Sequence, residues 1–131
     1  MIFVTGGTGL VGSHLILELL RKGSRVRALI RSESRLRKVR KVFSWYVTDP
    51  DAWVNRVEWV LGDMNEPTTL ESMLDGVETI YHCAAIVSFE KRNHAKMIRN
   101  NVEGTANLVD AALTMGIKKF CHVSSVSALG K

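Results

Sequence analysis

Gly6, Gly9 and Gly12 stand three residues apart in Thr5-Gly6-Gly7-Thr8-Gly9-Leu10-Val11-Gly12. They follow the short apolar run Ile2-Phe3-Val4 and lead into a stretch of helical period. A strand that ends in a tight glycine turn and opens into a helix brings backbone N–H groups and the positive end of the helix dipole to one point, which is chemistry for holding a pyrophosphate. Gly12, with no side chain, lets the helix pack closely on the strand. A plain tight turn is the competing reading, and the flanking strand and amphipathic helix argue against it. A Walker-type loop is excluded because no Gly-Lys-Ser/Thr follows.

Two further groupings have the residue types for chemistry. His82-Cys83 and Cys121-His122 suggest metal ligation, but neighbours in a strand face opposite sides, so at most two of the four share a face. Zinc wants three or four ligands, and no metal site is expected. The second grouping is charge. The chain carries +5, and Arg31 to Lys41 holds six bases against the single acid Glu33. The remaining twelve bases and twelve acids cancel, so the basic balance reports one local cluster and not a nucleic-acid-binding surface.

These residues need a scaffold. The apolar pattern predicts strands at 2–4, 26–30, 57–61, 77–83 and 119–124, and helices at 10–22, 32–43, after Pro67 and over 95–115. The first helix shows the stripe Val11, Leu15, Ile16, Leu19 and Leu20, ended by Gly23. The long helix shows Ile98, Val102, Ala106, Val109 and Leu113 as its packed face. Residues 44–56, with Trp45, Tyr46, Trp53 and Asp49-Pro50-Asp51, read as an insertion covering the sheet edge. Alternating strands and helices call for an α/β, Rossmann-type, doubly wound parallel sheet, with helices on both faces and five strands in the order 3-2-1-4-5. No apolar run is long enough to span a bilayer. The absence of a signal-like start, with Cys83 and Cys121 in apolar runs as buried reduced thiols, predicts a cytoplasmic protein.

The glycine loop resembles that of the extended short-chain dehydrogenases/reductases, the NAD(P)-dependent epimerase/dehydratase group. Gly62-Asp63, His82-Cys83-Ala84-Ala85, Asn101-Val102-Glu103-Gly104-Thr105 and Val123-Ser124-Ser125 extend the likeness at family spacing to the end of the chain. The stretch Val26 to Arg31 resembles the dihydroflavonol-reductase-like branch. The resemblance implies an oxidoreductase that moves hydride between a nicotinamide cofactor and a carbonyl or hydroxyl group. A nucleotide-sugar epimerase/dehydratase and a non-catalytic NADP-sensing or scaffold protein of the same fold are the alternatives.

The resemblance assigns Gly6, Thr8, Gly9, Leu10, Val11 and Gly12 to the cofactor's phosphates. Asp63 and Met64 fall to its adenine, and Cys83, Ala84, Ala85, Val123 and Ser124 to the cleft beside the fourth and fifth strands. Ile30 stands where NAD-using members carry an acid, and Arg31 follows. A guanidinium there can fork onto a 2′-phosphate, which favours NADP with NAD possible. Arg35 and Arg37 read as a solvated helix surface. Ser125 matches the family's catalytic serine, with Ser124 and Ser127 as alternatives, and Asn101 matches an amide that supports the active site. The family's Tyr-x-x-x-Lys is missing, since Tyr46 and Tyr81 are followed four residues on by Pro50 and Ala85. The resemblance thus predicts one truncated dinucleotide-binding domain over residues 1–131, inactive alone, cut from a parent enzyme with a small-molecule substrate. An uncovered fifth strand predicts self-association.

Overall fold

The computed structural model describes residues 1–130. The strands β1 (Ile2–Thr5), β2 (Val26–Ile30), β3 (Glu58–Leu61), β4 (Thr79–His82) and β5 (Lys119–His122) form one parallel sheet in the order β3-β2-β1-β4-β5. Six α-helices are described: α1 (Leu10–Arg21), α2 (Leu36–Phe43), α3 (Pro50–Val54), α4 (Pro67–Met73), α5 (His94–Ile98) and α6 (Gly104–Thr114). The predicted fold class and strand order are those observed. None of the described helices is long and apolar enough to cross a membrane.

Successive strand residues feed opposite layers, as the period of two requires. Val4, Val26 and Ala28 pack with α1 and α2 residues Ile16, Leu17, Leu20, Val39 and Phe43. Phe3, Leu29 and Ile80 pack on the other side with Leu70, Leu74, Leu108, Ala111 and Ala112. Both faces of the central strands are therefore apolar, as expected of a parallel sheet covered on two sides.

Several details differ from the sequence reading. Residues 50–54 are helical, with Pro50 in the first turn and the Asp49 carboxylate accepting from Ala52 N at 3.1 Å. Val54 joins the α1–α2 core, so this stretch belongs to that layer. It covers the edge strand β3 only in part: Trp59 Nε1 donates to Val54 O at 3.0 Å, while Glu58 and Leu61 stay exposed. Val11 is 56% exposed and not on the packed stripe, because Gly12 and Ser13 turn inward at the start of α1. Cys121 is exposed on the outer strand β5, not a buried thiol.

The largest correction concerns residues 95–115. They are helical without a break, as predicted, but not uniformly α-helical: α5 passes into a π-helical turn at Arg99–Glu103, and α6 follows. The buried face of α6 is Gly104, Leu108, Ala111 and Ala112. Ile98, Val102, Ala106, Val109 and Leu113, the predicted packed stripe, face solvent. This segment has two apolar faces, and the one with small residues meets the sheet because it permits close approach. A Cβ at Gly104 would lie 3.3 Å from Met64 Cβ.

Candidate functional site

The glycine loop joins β1 to α1 at the carboxyl edge of the sheet, where parallel α/β folds hold ligands. Gly6 has φ +69°, and a Cβ on it would lie 2.6 Å from the backbone of Cys83 and Ala84. Only glycine accepts both conditions. Gly9 N donates to Gly6 O at 2.9 Å and closes the turn. A Cβ at Gly12 would lie 2.2 Å from Gly6 O, so α1 starts directly beneath the loop. Gly9 caps α1 without a side-chain acceptor, and Ser13 Oγ instead donates back to Gly9 O at 2.7 Å. The first-turn N–H groups of α1 thus lack a side-chain partner, as an anion cradle requires.

A cavity of about 300 Å³ opens beside this loop. Gly6, Thr8 and Gly9 line it, together with Arg31, Met64, Cys83, Ala84, Ala85 and Asn101. Of the remaining cofactor candidates, Leu10 and Val11 are exposed at the start of α1 and Gly12 lies under the loop. Asp63 stands at the end of β3, 3.9 Å from the Arg31 guanidinium. Val123, Ser124 and Ser125 follow β5 and are exposed, outside the cavity wall. Ser125 Oγ accepts from Ser127 N at 3.2 Å and caps the turn Val126–Leu129.

The cavity also shows residues that the sequence reading passed over. Arg35, Lys38, Lys96 and Asn100 line it, so four cations with Arg31 face one space, and none of its lining residues is acidic. Arg35 read as a solvated helix surface because its distance from the end of β2 was not visible. A 3₁₀ turn at Glu33–Arg35 carries the chain from Arg31 straight into α2 and brings Arg35 and Lys38 to the rim.

Two asparagines in the π turn shape the far wall. Asn101 Oδ1 accepts from Ile86 N at 2.8 Å, and its Nδ2 donates to Ile86 O at 2.7 Å, pinning the loop after β4. Asn100 is buried, and its Oδ1 accepts from Arg31 Nη2 and from Asn65 Nδ2. Beneath the cavity, His82 is fully buried between Thr5 Oγ1 at 2.6 Å and Thr105 Oγ1 at 2.8 Å. Burial, reinforced by His122 stacked at 5.0 Å, pulls its pKa down to about 4, so it is neutral at pH 7. The Cys83 thiol is pushed up by burial and by Cys121. Among the described residues no group of three or more His, Cys, Asp or Glu could hold a metal.

The sequence model of the NAD dependent epimerase/dehydratase family matches residues 2–131. A putative dihydroflavonol 4-reductase of Synechocystis is 37% identical over 98% of this chain and 33% of its own length. Sterol demethylase protein B of Methylococcus capsulatus is 33% identical over 97% of this chain and 35% of its own. The chain thus spans about a third of the length of these relatives. Among solved structures, a short-chain dehydrogenase/reductase superfamily protein of Agrobacterium tumefaciens, with bound NAD, aligns with a TM-score of 0.75. It is 29% identical, over 95% of this chain and 32% of its own. The terminal R domain of the myxalamid biosynthetic pathway aligns at 0.79 with 30% identity, over 96% of this chain and 34% of its own.

Proposed function

The chain belongs to the NAD dependent epimerase/dehydratase family, and we propose that it is the dinucleotide-binding domain of an oxidoreductase with NADP as the preferred cofactor. The bound dinucleotide would supply the hydride acceptor or donor. The residues of this chain bind and orient it. The glycine loop and the first turn of α1 take the pyrophosphate. Cys83, Ala84 and Ala85 leave room along β4, where a larger side chain would fill the cleft. Ser125 would hold the reacting oxygen of a carbonyl or hydroxyl substrate. The matching tyrosine and lysine do not occur in Tyr-x-x-x-Lys spacing here, so this chain alone is proposed to bind and not to turn over substrate. The named similarity to a dihydroflavonol 4-reductase favours a reductase over an epimerase.

One observation carries the choice of cofactor. The end of β2 presents Ile30 and Arg31, with Arg35 and Lys38 beside them, and no carboxylate lines the cavity there. A ribose-binding acid would repel a 2′-phosphate, whereas this rim attracts one. Replacing Arg31 with Ala should reduce the ratio of NADPH to NADH affinity by about 10- to 100-fold, the range for charge-assisted hydrogen bonds. An unchanged ratio measured by calorimetry would remove the support for NADP.

A further inference from the structure

Arg31 is not free in this structure. Its Nη2 donates to Asn100 Oδ1, while the Asp63 carboxylate stands at 3.9 Å. Asn100 is 5% exposed and sits in the π turn between α5 and α6, far along the chain from β2. Asn65 ties the group together. Its Nδ2 donates to Asn100 Oδ1 at 3.1 Å and to Asp63 Oδ1 at 2.9 Å, and its backbone N donates to the same Asp63 oxygen at 3.0 Å. The cluster therefore joins the end of β2, the end of β3 and the π turn across one wall of the cavity.

The chemistry of this cluster is unequal. Arg31 carries five N–H donors in a planar fork, and Asn100 takes one of them with a neutral acceptor. A neutral acceptor fixes the direction of the guanidinium without cancelling its charge. Asp63 is the alternative partner. Pairing with it would neutralise Arg31. At 3.9 Å the two are at the limit of an ion pair, with Asp63 already occupied by two donors from Asn65.

We infer that Asn100 is a specificity-determining positioning residue: its amide holds the Arg31 guanidinium off Asp63 and leaves that charge for the phosphate on the adenosine ribose. The inference rests on the NADP reading above and adds to it a residue of the π turn that Arg31 itself contacts. An aspartate of the same shape at position 100 would keep the hydrogen bond and cancel the charge. An alanine would release Arg31 to Asp63.

The test measures calorimetric affinities for 2′,5′-ADP and 5′-ADP and compares their ratio, in which a general loss of pocket shape cancels. The unmodified chain should prefer 2′,5′-ADP. Asn100→Asp and Asn100→Ala should each reduce that preference by at least about tenfold. Adding Asp63→Asn to Asn100→Ala should restore most of it, which gives a second route should the aspartate variant fail to fold. In an Arg31→Ala background, Asn100→Asp should leave the ratio where Arg31→Ala alone puts it. A preference that survives both Asn100 substitutions, or that falls equally without Arg31, overturns the role of Asn100 alone. No preference in the unmodified chain overturns the NADP reading and this inference together.

Discussion

Gly12 lies beneath Gly6 so closely that a Cβ on the first would stand 2.2 Å from the carbonyl oxygen of the second. The obstacle is backbone, which a rotamer change cannot move. Gly12→Ala must therefore push α1 away from the loop. Overpacking of this kind costs about 1–3 kcal/mol, and it displaces the helix N–H groups from the anion position. Urea unfolding should show a destabilisation in that range, with dinucleotide affinity reduced at least about tenfold. Native stability together with native affinity would mean that the loop tolerates a side chain there.

His82 makes stability depend on pH in a definite direction. Its folded pKa, about 4, lies below the ordinary value of 6.5. The unfolded chain therefore takes up a proton first as pH falls, and the folded state loses stability between pH 6.5 and 4, levelling off below. Above pH 6.5 the contribution is fully present. His82→Phe removes the titration, so the difference in unfolding free energy between variant and unmodified chain should change through that window. A difference that is constant from pH 7.5 to 4 would exclude His82 as the source.

The two cysteines differ in both exposure and surroundings. Cys121 is exposed on β5, whereas Cys83 is half-buried in the cavity wall with its thiol pushed toward the protonated form. Thiolates are the reactive species. Iodoacetamide at pH 7.5 should therefore label Cys121 first, and saturating NADPH should slow labelling of Cys83 but not of Cys121. Labelling of Cys83 that NADPH leaves unchanged, read by mass spectrometry, would mean that the cofactor does not lie along the end of β4.

Val102 and Leu113 are 57% and 75% exposed on the outer side of the π turn and α6, with Ile98 and Val109 on the same stripe. Exposed apolar stripes commonly become interfaces. The chain should self-associate with rising concentration in light scattering, and the pair Val102→Glu and Leu113→Glu should shift it toward monomer. Association that the double variant leaves intact would point to the open edge of β5 instead.

The layers of the fold were legible because the strands carry apolar residues on both faces and each helix interval ends in a turn signal. Phe3 and Val4 illustrate this: adjacent residues, both fully buried, in opposite cores. The glycine loop was legible for a related reason, since close approach of Gly6 to Cys83 and of Gly12 to Gly6 leaves glycine as the residue that fits. The packed face of the helix after residue 94 was not. That segment offers two apolar faces, and the choice between them depends on how near α6 comes to Met64, which is tertiary information. The same holds for Lys38 and Lys96. A lysine on a charged helix reads as solvated until the fold brings it to a rim, and nothing local distinguishes it from Lys41.

The proposed role of the cavity beside the glycine loop is to hold a dinucleotide and read its 2′-phosphate. Calorimetric titration of the chain with NADPH and with NADH tests it most directly. One site per chain is expected, with NADPH bound at least about tenfold more tightly and its advantage shrinking as salt screens the Arg31, Arg35 and Lys38 rim. Equal affinities, tighter binding of NADH, or no saturable binding of either would contradict it.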